Sequence, residues 1–420
     1  MTTRSTATRA RMIAAGNQLL ATLGADAITV RSVCELSGTS VSSFYHQFGK
    51  RETFLRELVL DIRASTEARG RAAIESRVHQ SSQLRETLRI AIGEFVRLCA
   101  SERDLYAQVA AVERTEPEVA RERLAQDAAT VDATAEWMAE EAKLDAAQLL
   151  SLRRVVRLIT VGVRRGHSGV DRFLERMDLP VDAIVDELVE IAMTLVGIEH
   201  PAPMVSPILS AMPKISTEST TRGIILTAAE AVLSRRNASE LTINDVAAEA
   251  HVAPSSIYHY FEGKSQLLEA VVDDIERTTF SFALEMAQEI DLDRLSVHQQ
   301  IEAGLAIFFR AIATRGHVLL ALEHSSELSP QVVDAIVRSS TGGVEVAFAL
   351  VQSMYQTEFQ GCEDDTPQRI RLLLYFVSCV IHHAGWGPVS FLDSIDLTMP
   401  ELLSMFAQLI AQRAEHLVHA

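Results

Sequence analysis

Cysteine is scarce in this 420-residue sequence, and long apolar runs are missing. The four cysteines lie at positions 34, 99, 362 and 379 with no Cys-x-x-Cys pair. We therefore expect reduced, buried thiols rather than a disulfide framework or a zinc site. The adjacent pair His382-His383 would point about 100° apart on a helix, and we predict no metal and no other cofactor.

The sequence also lacks the features of a membrane or secreted protein. No apolar run approaches the roughly 18 residues that cross a membrane. Residues 1–11 are basic and rich in Thr, but an amphipathic segment follows them instead of a uniformly apolar one. We therefore expect a cytoplasmic protein with no membrane partner.

Motifs typical of enzymes are absent as well. The sequence contains no G-x-x-x-x-G-K phosphate loop, no His-Glu-x-x-His and no Gly-x-Ser-x-Gly. No alternation of strands and helices is readable that could form a nucleotide-binding fold. An enzyme is therefore not expected, and an all-α enzyme stays as an alternative that turnover of a substrate by the pure protein would support.

The feature that is present is an internal repeat. The stretch Ser42-Ser43-Phe44-Tyr45-His46-Gln47-Phe48 returns 213 positions later as Ser255-Ser256-Ile257-Tyr258-His259-Tyr260-Phe261. Residues 8–62 and 221–275 share sixteen identities without a gap, where composition alone gives about three or four. Since the chain also exceeds the size of one hydrophobic core, we infer two duplicated units.

Each copy has the pattern of a helix-turn-helix. Thr29, with an acceptor side chain at Ser32, resembles the capping box that begins a helix. Gly38 interrupts that helix within two turns, and Ser40 can cap the next one. Thr29, Ser32 and Gly38 correspond to Thr242, Asp245 and His251 in the second copy, where Pro254 would occupy the first turn of the next helix.

The remainder of each copy shows helical periodicity and no sustained strand alternation. Four prolines between positions 200 and 213 indicate a linker. The predicted fold is all-α, with two units that each contain a three-helix DNA-binding domain and a helical regulatory domain. The predicted ranges are 1–52 (first helix-turn-helix), 53–199 (first regulatory domain), 200–217 (linker), 218–265 (second helix-turn-helix) and 266–420 (second regulatory domain).

Charge distinguishes the two copies. The whole chain has a formal net charge of −17, which by itself argues against a nucleic-acid partner. Residues 1–56, however, contain seven Lys or Arg and three acidic residues. Residues 214–268 contain five Lys or Arg and six acidic residues. The first copy is therefore locally basic and the second is not.

These motifs resemble the TetR family of one-component transcriptional regulators. The second copy matches the family pattern through Thr242, Val246, Ser255, Ile257, Tyr258, Tyr260, Phe261, Lys264 and Leu267. The first copy matches through Thr29, Val33, Gly38, Ser43, Phe44, Tyr45, Phe48 and Arg51. It departs at Gln47, where the family has His or an aromatic residue, and at Arg51, which replaces Lys but keeps the charge.

The resemblance implies double-stranded operator DNA and a small-molecule effector as partners. Family members are usually homodimers of units of this length, so two units in one chain imply an intrachain pseudo-dimer. The two recognition helices would enter successive major grooves about 34 Å apart. Because these helices differ in sequence, we expect an imperfectly palindromic operator, and we leave open whether two whole chains also associate as a homodimer.

The resemblance also suggests which residues contact DNA. The candidates in the first copy are Thr29, Arg31, Val41, Ser42, Ser43, Tyr45, His46 and Arg51. Those in the second copy are Thr242, Asn244, Pro254, Ser255, Ser256, Tyr258, His259 and Lys264. The Thr, Tyr, His, Arg51 and Lys264 side chains would contact phosphates, and Val41 and Pro254 are candidates for contact with a thymine methyl group.

Each assignment has a structural alternative. The tyrosines could pack in the core, the serines could serve only to begin a helix, and Arg31 and Asn244 could lie on a solvated helix face. Phe48 and Phe261 are predicted to be core residues.

The leading hypothesis is a repressor whose operator affinity falls when a small, hydrophobic effector binds a helical bundle. A second hypothesis is that only the first copy binds DNA and that the second unit serves in dimerisation or sensing. The second copy contains more acidic than basic residues, which favours this alternative, since affinity for DNA comes largely from phosphates neutralised by Lys and Arg.

Overall fold

The computed structural model describes most of the chain. The described residues are 3–24, 27–78, 83–103, 105, 106, 109, 117–168, 172–198, 220–235, 238, 240–290, 294–313, 315–323, 328–386 and 391–419. All regular secondary structure in these ranges is helical, which confirms the predicted all-α class. Within the same ranges, every helix is too short or too polar to cross a bilayer.

The chain forms two compact units, Met1–Asp145 and Ala146–Ala420. This division falls inside the range predicted for the first regulatory domain, 53–199, because residues 146–198 cluster with the second half of the chain. The predicted linker, 200–217, lies outside the described residues.

The first unit begins with a three-helix arrangement. Its helices are α1 (Thr3–Leu23), α2 (Val30–Ser37), α3 (Val41–Phe48), α4 (Arg51–Val78), α5 (Leu84–Ser101) and α6 (Pro117–Ala142). We call α1–α3 the first head. Met12 of α1, Val33 of α2 and Phe44 of α3 are fully buried and pack with Phe54 of the long helix α4. Phe48 is also buried in this cluster, as predicted.

The second unit contains the remaining helices. They are α7 (Ala146–Ser168), α8 (Phe173–Arg176), α9 (Val181–Gly197), α10 (Thr221–Leu233), α11 (Ile243–Glu249), α12 (Pro254–Tyr260), α13 (Lys264–Glu289), α14 (Val297–Ala313), α15 (Gly316–Glu323), α16 (Pro330–Met354), α17 (Thr366–Trp386), α18 (Phe391–Ser394) and α19 (Met399–His419). We call α10–α12 the second head. Its core includes Ile225, Val246, Ile257 and the predicted core residue Phe261.

Helices from the two ends of the second unit pack together. Helix α7 contacts α9 and α17, and α9 contacts both α17 and α19. The rings of Phe173 and Tyr375 stack with centroids 3.6 Å apart, and the Arg154 Nε donates to the Ile395 carbonyl oxygen at 2.9 Å. Residues 146–198 thus share a continuous core with the last helices of the chain.

The cysteines follow the expected pattern with one difference. Cys34, Cys99 and Cys379 are buried, but Cys362 is only partly buried. Its Sγ donates to the Phe359 carbonyl oxygen at 3.5 Å.

Candidate nucleic-acid interface

Helix α2 begins with the predicted capping box. The Thr29 Oγ1 accepts from the Ser32 backbone N–H at 3.0 Å, and the Thr29 backbone N–H donates to the Ser32 Oγ at 3.0 Å. Two N–H groups that a helix start leaves without intrahelical partners are satisfied in this way. The prediction that this helix begins at Thr29 is confirmed.

The turn between α2 and α3 is tight. Gly38 has a φ of +62°, in the left-handed region that glycine adopts at little cost. Ser40 caps the next helix, since its Oγ accepts from the Ser43 backbone N–H at 3.1 Å. The two short helices therefore form a helix-turn-helix.

Helix α3 divides its residues between core and solvent. Phe44 is buried against the rest of the head, whereas Val41, Ser42, Tyr45 and His46 are exposed and Ser43 is half-buried. The Tyr45 side chain is 51% exposed, so core packing does not account for it. The predicted DNA-contacting residues of α3 thus lie on its outer face.

Two basic residues beside α3 already have partners within the protein. Arg51, at the start of α4, is half-buried, and its Nε donates to the Ile28 carbonyl oxygen at 3.3 Å. Arg31 is exposed and forms an ion pair with Glu35 at 2.8 Å. This pair favours the solvated-face alternative for Arg31, because Glu35 offsets its charge.

The second head repeats this arrangement. The Asp245 backbone N–H donates to the Thr242 Oγ1 at 3.1 Å, and the Thr242 Oγ1 donates to an Asp245 carboxylate oxygen at 2.6 Å. Pro254 occupies the first turn of α12. Thr242, Asn244, Pro254, Ser255, Tyr258 and His259 are exposed, and Ser256 and Lys264 are half-buried. The Tyr258 side chain is 57% exposed.

The outer face of α12 also presents Tyr260, which the sequence reasoning did not include among the DNA contacts. This side chain is exposed, and its ring lies edge-on to that of His259, with centroids 5.1 Å apart. The equivalent Gln47 is half-buried, and its Nε2 donates to the Ser5 Oγ at 3.0 Å. The second head therefore exposes one more aromatic ring than the first.

An arginine of the first helix of each head lies over a core phenylalanine ring. The Arg9 guanidinium lies 4.5 Å from the Phe48 ring centroid and donates to the Gln47 carbonyl oxygen and to Glu57. In the second head, Arg222 lies 5.6 Å from the Phe261 ring centroid. Sequence reasoning missed both arginines, although their identity at the repeat spacing of 213 was an available signal.

Charge separates the two faces further. The neutral Ser32 of the first capping box is replaced by Asp245 in the second. Arg235, near the end of α10, forms an ion pair with Glu249 at 2.5 Å. Both heads thus contain arginines offset by neighbouring carboxylates, and the second head differs by the additional carboxylate of its capping box.

The second head is tied to the regulatory helices through Arg315. The Arg315 Nε lies 3.2 Å from Glu230 of α10, and its Nη1 lies 3.0 Å from Asp274 of α13. Burial raises the pKa of Glu230 to about 7, against the opposing effect of Arg315. At the equivalent positions of the first unit, the Asn17 Nδ2 donates to Asp61 at 3.0 Å.

Aromatic residues of the second regulatory helices pack mainly in the core. The Phe376 ring lies edge-on to Phe406 with centroids 6.3 Å apart, and Phe348 does so against Phe359 at 5.9 Å. These rings fill the space between the packed helices. Among the described residues, no three His, Cys, Asp or Glu side chains are arranged to hold a metal ion.

Comparison with known proteins agrees with this geometry. The model of the family described as "Bacterial regulatory proteins, tetR family" matches residues 12–58 and again residues 225–271. The HTH-type transcriptional regulator BetI of Brucella abortus (strain 2308) is 29% identical over 103 residues, which are 24% of this chain and 48% of BetI. The chain thus spans about half the length of that curated relative.

Two solved structures also show similarity. The fatty acid degradation regulator FadR from Bacillus halodurans is 15% identical, with a TM-score of 0.34 over 48% of this chain and 96% of its own. The TetR family repressor AlkX from Dietzia sp. strain DQ12-45-1b, implicated in biodegradation of n-alkanes, is 18% identical, with a TM-score of 0.28 over 48% of this chain and 98% of its own.

The repeated match of the family model coincides with both heads. Residues 12–58 run from α1 into α4, and residues 225–271 run from α10 into α13. Each match therefore contains a complete helix-turn-helix with its capping box. The chain therefore carries two domains, in tandem, that each match the helix-turn-helix domain of the TetR family.

Proposed function

We propose that this protein regulates transcription by placing both heads of one chain on a single operator. The observation that carries the proposal is the outer face of each recognition helix, where Tyr45 and Tyr258 stand exposed beside small polar residues. Hydroxyl groups can donate to phosphates and fix the position of a helix in the major groove. The matching faces support two working half-sites.

The half-sites are proposed to differ. Val41 stands at the leading edge of α3 where Pro254 stands in α12, and Gln47 is replaced by the exposed Tyr260. Residues at these positions reach base edges or adjacent phosphates when a recognition helix lies in the groove. An imperfect palindrome is therefore the operator that fits these two helices.

The two sequence repeats, residues 1–199 and 218–420, are proposed to form a pseudo-dimer within the chain. Packing of α7 and α9 on α17 and α19 supports this, because these are the last helices of the first and second repeats, respectively. We retain the boundaries 1–52, 53–199, 200–217, 218–265 and 266–420 as the proposed functional domains.

We further propose that the protein is a repressor whose operator affinity falls when a small, hydrophobic effector binds a regulatory domain. TetR-family regulators bind operators and small-molecule effectors, which supports the proposal at the level of the family. Such a ligand must prefer a state in which the heads are wrongly placed for the operator. Mobility-shift titrations against a panel of apolar ligands would identify it by release of the DNA.

Selection of bound sequences from random DNA tests the two-headed proposal. The expected product contains two different half-sites, and light scattering of the complex should give one chain for each pair of half-sites. Tyr45→Phe should weaken one half-site and Tyr258→Phe the other. Tyr355→Phe is the matched control, because Tyr355 belongs to neither head and its hydroxyl donates to the Ala411 carbonyl oxygen. Recovery of a perfectly symmetric site would overturn the proposal.

A second candidate function is a regulator in which only the first head binds DNA. The observation that favours it is the charge of the heads, since residues 1–56 have an excess of basic residues and residues 214–268 do not. Asp245 adds a carboxylate to the face of the second head.

The salt dependence of DNA binding separates the two candidates. Each neutralised phosphate contributes about 0.9 to the slope of log K against log salt concentration. If both heads bind, Arg51→Gln and Lys264→Gln should each reduce the slope by about one. If only the first head binds, Lys264→Gln leaves the slope unchanged. Arg51→Lys keeps the positive charge and serves as the control for the contact with Ile28.

A further inference from the structure

A buried ion pair joins helix α9 to helix α19. Glu187 is fully buried, and Arg413 is 4% exposed. The Arg413 Nη2 and Nε lie 2.8 and 3.1 Å from the two Glu187 carboxylate oxygens, a two-pronged contact. Arg369 of α17 approaches the same carboxylate at 3.8 Å, and Glu190 lies 3.8 Å from the Arg413 Nη1.

Such a pair has a cost that its attraction only partly offsets. Removal of two charges from water is unfavourable, so a buried ion pair is weak evidence for stability. Buried polar groups are better attested as devices that select the register or partner of packed helices. Burial raises the pKa of Glu187, while Arg413 opposes the rise.

The distribution of charge makes this pair specific for unlike partners. Helix α9 contains four acidic residues and no Lys or Arg. Helix α19 contains a single Lys or Arg residue, which is Arg413. Two copies of α9 facing each other would bury two Glu187 carboxylates without an arginine from either helix. Two copies of α19 would bring two Arg413 side chains together.

A second contact, between α7 and α17, is complementary in shape. The Phe376 ring of α17 occupies the place that a Cβ at Gly162 of α7 would need. Two copies of α7 would leave a gap where that ring fits, and two copies of α17 would bring two rings to one place. Close packing in protein interiors makes both alternatives unfavourable.

We propose that the surface formed by α7 and α9 is specific for the surface formed by α17 and α19 and rejects a second copy of itself. The partner of the first repeat is thus the second repeat, selected by one charge pair and one ring-and-glycine contact. This inference rests on the proposed pairing of the two repeats and adds the residues that enforce that pairing.

Charge reversal in the full chain tests the proposal. Glu187→Arg places three arginines together and should lower the Tm by about 10 °C, since breaking a buried pair is costly in a domain of this size. Arg413→Glu should have a similar effect. The double variant Glu187→Arg with Arg413→Glu restores an opposite pair and should recover most of the loss. Asp182→Arg makes the same charge change at an exposed position in the first turn of α9 and should lower the Tm much less, because an exposed charge near a helix N-terminus is worth about 0.3–1 kcal/mol.

A milder set of variants serves if the charge reversals fail to fold. Gly162→Ala should lower the Tm because its methyl group meets the Phe376 ring. Addition of Phe376→Leu should recover part of that loss, whereas addition of Phe406→Leu, in the same core but not against Gly162, should deepen it.

The outcomes are distinct. Additive losses in Glu187→Arg with Arg413→Glu, or in Gly162→Ala with Phe376→Leu, would overturn the inference, because the effects of contacting partners should not be additive. A recovered Tm together with lost operator binding would overturn the proposed function and leave the pairing rule intact.

Discussion

Thr29 and Thr242 begin equivalent helices with equivalent hydrogen bonds, yet the residue that completes the capping box is Ser32 in one head and Asp245 in the other. A hydroxyl and a carboxylate oxygen both accept from an N–H group, so either residue satisfies the helix start. They differ by a full charge on the face proposed to meet DNA. The comparison teaches that local hydrogen bonding constrains the backbone of a head while leaving its surface charge free to diverge.

The cores differ in a similar way. Phe44 packs against Phe48 and Phe54 with ring centroids 5.2 Å apart in each case. In the second head Ile257 takes its place and is also fully buried. One head is therefore built around clustered rings, and the other mainly around aliphatic side chains.

Truncation of these core residues should give the largest effect. We expect Phe44→Ala to destabilise the first head by about 3–5 kcal/mol and Ile257→Ala to destabilise the second by about 2–5 kcal/mol. Hydrogen exchange of the α2 and α11 amides would report each head separately. If either variant lowers protection equally in both heads, the heads unfold as one cooperative unit and the comparison fails.

The next effect concerns pH and arises at Glu230 of the second head, with no counterpart at the equivalent Asn17 of the first. Glu230 has a folded-state pKa of about 7, above its ordinary value of 4.5, because burial disfavours its charge. The folded protein therefore holds a proton that the unfolded chain releases between these values, and stability should fall as pH rises through this window.

A tenfold change in proton affinity is worth about 1.4 kcal/mol, so the loss should be on the order of 3 kcal/mol. Thermal unfolding of the wild type and of Glu230→Gln from pH 4.5 to 7.5 would measure it. The difference between wild type and variant should give the contribution of Glu230, because the other buried titratable groups are the same in both proteins, whereas Asn17→Asp would introduce a carboxylate at the equivalent position of the first unit. A slope unchanged in Glu230→Gln would assign the pH dependence to another group.

The turns of the two heads should differ in conformational strain, with a smaller effect on the free energy of unfolding. His251 has a φ of +54°, where the first head has Gly38 at +62°. A residue with a side chain costs roughly 1–2 kcal/mol in this region. We expect His251→Gly to stabilise the second head by about 1 kcal/mol and Gly38→Ala to destabilise the first by a similar amount.

Denaturant titrations would measure both changes. Gly304→Ala lies within helix α14 with open space around it and should be mildly stabilising, as alanine is preferred to glycine in a helix. Destabilisation by His251→Gly would show that the imidazole makes contacts that outweigh the strain.

Exchange of the capping residues should give the smallest effect. Ser32→Asp should weaken operator binding about two- to fivefold, and Asp245→Ser should strengthen it by a similar factor, because an exposed charge contributes less than about 1 kcal/mol. Both variants keep the capping box, so the Tm should barely change. Equal and opposite shifts in affinity would place both heads on DNA, and a shift for Ser32→Asp alone would favour the single-headed alternative.

Much of the fold could be predicted from local sequence. Thr29 and Thr242 mark helix starts because their hydrogen-bond partners lie three residues away. The same local pattern occurs at Thr398, whose backbone N–H and hydroxyl donate to Glu401. Gly24 follows α1 with a positive φ of +85°, as is common for glycine after a helix. The core roles of Phe48 and Phe261 followed from the repeat itself.

Contacts between distant residues could not be predicted in this way. Arg9 meets the Phe48 ring across 39 positions of sequence, and Arg413 meets Glu187 across 226. Neither contact leaves a periodic signal, because each depends on how whole helices pack. For the same reason, the sequence did not indicate that residues 146–198 cluster with the end of the chain.

The fit of Phe376 against Gly162 constrains how the codons for these two residues can evolve. A methyl group gained at one site or a different ring shape at the other is tolerated only if the second codon has changed to suit it. These two codons lie far apart in one gene, so recombination that exchanges only the distal half with a related sequence would separate a matched pair. Homologues that share this architecture should therefore show correlated substitution at the two sites.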